Sequence, residues 1–136
     1  MRKLYKLCLP VALCAALCTS AYAKNFPMTA ASIVPGAKGD VNVDKDKNGN
    51  TRLKMSVQYL AKPDNLSPPM TTYIVWLQER GGTAESQGQL KIDKHLKASF
   101  GTVTPFRNFD LFVTAEQDAS PKAPTGPEVL RASIQR

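Results

Sequence analysis

The chain has little of what transition-metal and thiol chemistry require. Its 136 residues include one histidine, His95, and three cysteines. Cys8, Cys14 and Cys18 all fall within the first 23 residues. Zinc and copper sites draw on several His or Cys ligands. Downstream of residue 23 only His95 is of that type, so no such site is expected, a cupredoxin-type copper centre included. The same stretch has no thiol nucleophile and no disulfide framework, and it must rely on its hydrophobic core. No G-x-S-x-G nucleophile elbow occurs. Arg80-Gly81-Gly82-Thr83 resembles no phosphate-binding loop and reads as a hairpin connection. The chain also lacks the roughly 20 consecutive apolar residues of a membrane-spanning helix.

What is present begins at the amino terminus. Arg2, Lys3 and Lys6 form a basic stretch, Leu7 to Leu17 is apolar, and Ala21-Tyr22-Ala23 precedes Lys24. This order reads as a secretory signal peptide over residues 1–23, cut between Ala23 and Lys24. The alternatives fit less well. As an anchor, Leu7 to Ala23 is short and interrupted by Pro10, Thr19 and Ser20. Lipid attachment at Cys18 wants a small preceding residue, and Leu17 stands there. The expected working form is periplasmic or extracellular and does not span a membrane.

Removing 23 residues from 136 leaves 113, enough for one domain with its own core. The leader takes 3 of the 18 basic residues and none of the 11 acidic ones, so the remainder carries +4. A charge of that size suits solubility and gives no footprint for nucleic acid.

Alternation dominates the rest. Residues 24–38 read as a mobile arm, Lys24 to Thr29, followed by a first short strand in the apolar run Ala30 to Val34 that stops at Pro35-Gly36. The domain proper is expected over 39–136. Val41 and Val43 alternate with polar neighbours, Lys47 to Asn50 is a turn, and Leu53, Met55, Val57 and Tyr59 share one face of the next run. Tyr73 to Leu77 is apolar on both faces, which places it centrally, with Trp76 expected to pack between sheets. Leu90 and Ile92, then Leu96, Ala98 and Phe100, read as inward positions on two short strands joined by a turn at Asp93 to His95. Phe109 to Glu116 puts Phe109, Leu111, Val113 and Ala115 on one face and Phe112 on the other, so it too reads as a central strand, and Val129 to Ile134 completes the set. About seven or eight strands with closely spaced turns predict an all-β, immunoglobulin-like β-sandwich.

Three residue groups bear on chemistry. Asp44, Asp46 and Asn48, followed by Gly49, match the front half of a calcium-binding loop. The closing bidentate glutamate is replaced by Met55 and the ninth position is Arg52, so the segment reads as a polar hairpin tip without metal. The carboxylate pairs Asp44 with Asp46, and Asp110 with Glu116, fall on turns or outward strand faces, where nothing raises a carboxyl pKa. Arg52, Lys54, Lys91 and Lys97 read as outward residues that make a cationic face if their strands are neighbours, suited to anionic lipid or another acidic envelope polymer. No catalytic residue and no cofactor are assigned.

Four stretches in order carry a family resemblance. These are Tyr73-Ile74-Val75-Trp76-Leu77, Gly88-Gln89-Leu90, Val113-Thr114-Ala115-Glu116, and Pro124-Thr125-Gly126-Pro127-Glu128-Val129-Leu130. Together they resemble the extracytoplasmic C-terminal domain of anti-sigma-K factors, the regulator of sigma-K family. The resemblance covers roughly Gly39 to Leu130 and departs at Gln117 to Ser120, where the family tends to have a Pro and a Gly-Gly-Ser run. It implies a small extracytoplasmic β-sandwich in which the Trp and the Pro-Thr-Gly-Pro loop are fold determinants. The family's sigma-binding domain and linking membrane helix have no counterpart in these residues, so sigma inhibition and functional residues are not carried over. The expected function is a secreted or periplasmic non-catalytic binding module whose partner is an unknown protein or envelope component. The alternative is a structural or adhesive envelope protein that acts by assembly.

Overall fold

The computed structural model describes residues 23–136, and the expected signal peptide therefore lies outside the described residues apart from its last residue, Ala23. Eight strands account for the fold: β1 (Lys24–Ala30), β2 (Lys38–Lys45), β3 (Thr51–Gln58), β4 (Thr72–Glu79), β5 (Glu85–Leu90), β6 (Ala98–Thr104), β7 (Asn108–Glu116) and β8 (Glu128–Gln135). A single 3-10 turn covers Pro63–Asn65. All pairings are antiparallel, in the order β5-β4-β7-β8-β1-β2-β3-β6.

The all-β sandwich expected from the alternation is what forms. Its two sheets are joined through β1. Lys24 to Met28 pair with β2, while Thr29 and Ala30 pair with Arg131 and Leu130 of β8. The terminal strands β5 and β6 approach each other, and the Thr102 hydroxyl donates to Gln87 Oε1 at 3.2 Å between them. The sandwich is therefore a nearly closed, flattened barrel, an arrangement that protects its edges. Connectivity departs from immunoglobulin order, in which the second and third strands are divided between sheets. Here β2 and β3 are hairpin neighbours, because the turn at Asp46 to Asn50 is too short to cross the core.

The core follows from side-chain parity. Val41, Val43, Leu53, Met55 and Val57 from one sheet meet Tyr73, Val75, Leu77, Leu111, Val113, Leu130 and Ile134 from the other. Burial of each large aliphatic group contributes roughly 1.5–3 kcal/mol. β4 and β7 are apolar on both faces, as expected of central strands. The second face carries a separate cluster of Ile74, Trp76 and Phe112. Trp76 is thus buried, but on the outer side of its sheet and not between the sheets as expected. The even positions of β4 point away from the core, and Tyr73, Val75 and Leu77 occupy the interior.

Element limits and side-chain facing differ from expectation in five respects. Lys24 to Thr29 is a strand and not a mobile arm, with Phe26, Met28 and Ala30 packed on the core in alternation. The expected strand at Ala30 to Val34 is mostly a turn, from which Val34 is buried. The boundary at Gly39 therefore falls inside the domain. β5 begins at Glu85 and stops at Leu90, so Ile92, read as a strand position, lies in the connection that follows. Tyr59 and Leu96, both read as inward residues, are exposed.

Candidate functional site

Because the strands alternate in direction, the seven connections and the outer ends of β1 and β8 sort onto two ends. One end holds the short connections 46–50, 80–84 and 105–107 together with Lys24 and Arg136. The C-terminal residue is tied down there, its amide donating to Arg107 O at 3.1 Å and its guanidinium to Gly49 O at 2.9 Å. The opposite end holds the longer connections 31–37, 59–71, 91–97 and 117–127. Long connections on a rigid scaffold are where binding residues concentrate.

Backbone conformation singles out two of those loops. Tyr59 has φ 59° and Leu96 φ 60°, both in the left-handed region. For a bulky L-residue that conformation costs roughly 1–2 kcal/mol. The two residues are neighbours, since the Leu60 amide donates to Leu96 O at 3.2 Å just beyond the last rung of the β3–β6 ladder, Val57 to Ala98. The turn at Tyr59 reverses the alternation. It drives Leu60 into the core at 0% exposure and leaves the Tyr59 side chain 58% exposed. Leu96 is also turned outward, though less far, at 36% exposure. With Ile33 in the connection 31–37, three of the four exposed large hydrophobic side chains among the described residues stand at this end, and Val103 lies elsewhere. Strained non-glycine residues are disproportionately found at binding and switch positions.

Lysines occupy the same two connections. Lys62 and Lys91 line an open groove of about 690 Å³ with Met70, Thr72, Gln89 and Ile92. Lys91 and Lys97 line an adjoining groove of about 420 Å³ with Gln58 and Ser99. Lys94 and His95 are exposed in the turn between them. Asp93 lies in the same turn, where its Oδ1 accepts from the amides of His95 (2.8 Å) and Lys97 (2.9 Å). Those bonds, the Lys97 amide first, hold its carboxyl below the usual range despite the opposing effect of burial.

Asp46 Oδ1 accepts the amides of Asn48 (2.8 Å) and Asn50 (2.9 Å), which builds the β2–β3 turn from its own carboxylate, and Gly49 supplies φ 83°. Asp44 is bound by Arg52 through two contacts of 2.8 Å and points along the sheet, not into the loop. Its carboxyl is lowered by that bond. Asp44, Asp46 and Asn48 are thus not brought together as a ligand set. The expected cationic face is also redistributed. Arg52 and Lys54 lie outward on β3, but Arg52 is paired with Asp44, and Lys91 and Lys97 sit in the 91–97 connection, not on strands.

Glu116 corrects a further expectation, for it is 0% exposed and not on an open strand face. The Thr114 hydroxyl donates to its Oε1 at 2.6 Å and the Thr125 hydroxyl to its Oε2 at 2.5 Å. The amides of Thr125 (3.0 Å) and Gly126 (3.1 Å) complete the cradle. Thr114 accepts in turn from the Trp76 indole at 2.8 Å. Burial alone pushes the carboxyl up, but the Thr114 and Thr125 hydroxyls and the two amides outweigh it and hold the value low. Gly126 cannot be replaced, since a Cβ there would overlap the carbonyl oxygen of Ala115. The carboxylate latches the 117–127 loop to the end of β7. Asp110 is separate and engages Arg131 and Ser133 at 2.8 Å each.

Among the described residues no cluster of three or more His, Cys, Asp or Glu has metal-binding geometry, and no helix is long and apolar enough to cross a membrane. A comparison with protein-family models finds no match to the chain, and one with curated proteins finds none either.

Proposed function

We propose that the chain acts after export, from Lys24 onward, as a non-catalytic contact module. The observation that carries this reading is the loop end, where Tyr59 and Leu96 are held outward by left-handed backbone on the two connections that also carry four lysines. A fold that turns two large apolar side chains into solvent at a cost in conformational energy does so without benefit to its own core. The most buried carboxylate, Glu116, is fully engaged in holding a loop, and the single histidine stands in an exposed turn. Those roles are structural and favour binding over catalysis.

The likeness to the extracytoplasmic domain of anti-sigma-K factors is kept in the same sense. Trp76, Thr114, Glu116, Thr125 and Gly126 come from three of the stretches that carry the resemblance, and they form one hydrogen-bonded chain. That convergence supports a sensor-like sandwich built on the same determinants.

The test has two readouts on the full chain expressed in a bacterial host. N-terminal sequencing of the exported product is expected to begin at Lys24. Photocrosslinking amino acids placed at Tyr59 or Leu96 are expected to give adducts in intact envelopes, and one placed at Val103 is not. Equal adducts from Val103, or a product retained in the cytosol with Met1, would remove the proposal.

A further inference from the structure

We propose that the Tyr59–Leu96 end docks on an anionic lipid surface, which rests on the contact-module reading above and names its partner. The geometry has the two parts that interfacial binding needs. The first is a pair of protruding side chains, one aliphatic and one amphipathic, on adjacent turns joined by the Leu60 to Leu96 hydrogen bond. A tyrosine places its ring among acyl chains and its hydroxyl among headgroups. The second is a collar of Lys62, Lys91, Lys94 and Lys97 on the same two loops. The acidic residues on these loops are Asp64 and Asp93, and Asp93 is already turned onto the amides of His95 and Lys97. Positive charge therefore prevails around the protrusions, and anionic headgroups complement it. The collar's lysines can keep their ammonium groups in the headgroup layer while their stems lie against the apolar pair.

The opposite end lacks this combination. It carries Arg80, Arg107 and Arg136, but no large hydrophobic residue of its connections is exposed. Val103, the remaining exposed apolar residue, lies within a strand beside Arg52, which is paired with Asp44. Charge alone would not distinguish the two ends, so the protruding pair decides the orientation.

Cosedimentation of the exported protein with vesicles tests this. Vesicles of equal parts phosphatidylglycerol and phosphatidylcholine are expected to bind it, and vesicles of phosphatidylcholine alone are not. Binding should weaken as salt is raised. Replacing Lys91 or Lys97 by Gln should weaken it about fivefold each. The double variant Tyr59→Gly/Leu96→Gly should abolish it while melting no lower than the parent, because glycine accepts the left-handed conformation without strain. Millimolar inorganic phosphate should not displace the protein, which separates a headgroup surface from a free anion site. Equal binding to both vesicle types, or unchanged binding by the glycine variant, would overturn the inference. Adducts at Tyr59 and Leu96 that contain only protein, with no vesicle binding, would overturn it and leave the contact-module reading intact.

Discussion

At the scale of single residues, Glu116 shows how burial and charge are reconciled. An ionised carboxylate at 0% exposure is tolerated because two hydroxyls and two amides donate to it. Its folded pKa lies below the ordinary 4.5, so the folded state binds fewer protons than the unfolded one as the solution is acidified. The sign follows directly. Its stabilisation is complete above about pH 4.5 and is lost as pH falls through the lowered folded value. Glu116→Gln places an amide NH₂ against existing donors and should cost roughly 2–3 kcal/mol at neutral pH, with the loss shrinking toward acid. Urea titrations of both proteins at neutral and acid pH would check this. A pH-independent difference would mean that the carboxylate's charge has no part in the latch. Tyr73 gives the mirror case. Burial pushes its phenol up to about 12, while its hydroxyl donates to Ala61 O at 2.6 Å.

At the scale of elements, the β2–β3 hairpin shows a motif resolved by local geometry. Asp46 builds the turn through its own carboxylate, and Asp44 is held by Arg52. Millimolar calcium is therefore expected to leave the melting temperature of the exported protein unchanged, whereas Asp46→Ala should lower stability by about 1 kcal/mol through loss of the turn bonds. A calcium-dependent rise in melting temperature, read by calorimetry, would contradict this. The hairpin was legible in the sequence because Val41, Val43, Leu53, Met55 and Val57 alternate around an Asn-Gly turn. β4 and β7 were legible as central strands because both faces are apolar. β1 was not, since Lys24, Asn25 and Pro27 mask the weak alternation of Phe26, Met28 and Ala30. The exposure of Tyr59 and Leu96 was hidden for a different reason. Their periodicity continues that of the strands, and only a left-handed backbone angle, invisible in residue type, turns them out. Glu116 was misplaced because its cradle comes from Thr125 and Gly126, in the far part of the following loop.

At the scale of the whole molecule, β1 decides whether two sheets become one body. It pairs with β2 along five residues and hands over to β8 at Thr29, so among the described strands it alone joins the two sheets by backbone ladder pairing. The other flank, between β5 and β6, is bridged by the Thr102–Gln87 side-chain bond. This arrangement bears on the expected cleavage site, because β1 begins at Lys24 itself. A cut after Ala23 leaves the strand whole, while one a few residues later removes rungs from the ladder to β2. A chain beginning at Gly39 should therefore lose its cooperative unfolding transition, since it exposes the strand edges of both β2 and β8 together with the core surface covered by Phe26, Met28 and Val34. Thermal melts followed by circular dichroism, comparing starts at Lys24 and Gly39, give the answer. Matching transitions would mean that the two sheets hold together through side-chain packing alone and that the strand is dispensable. Loss of the transition from Gly39 alone would make the position of the cleavage a requirement of the fold.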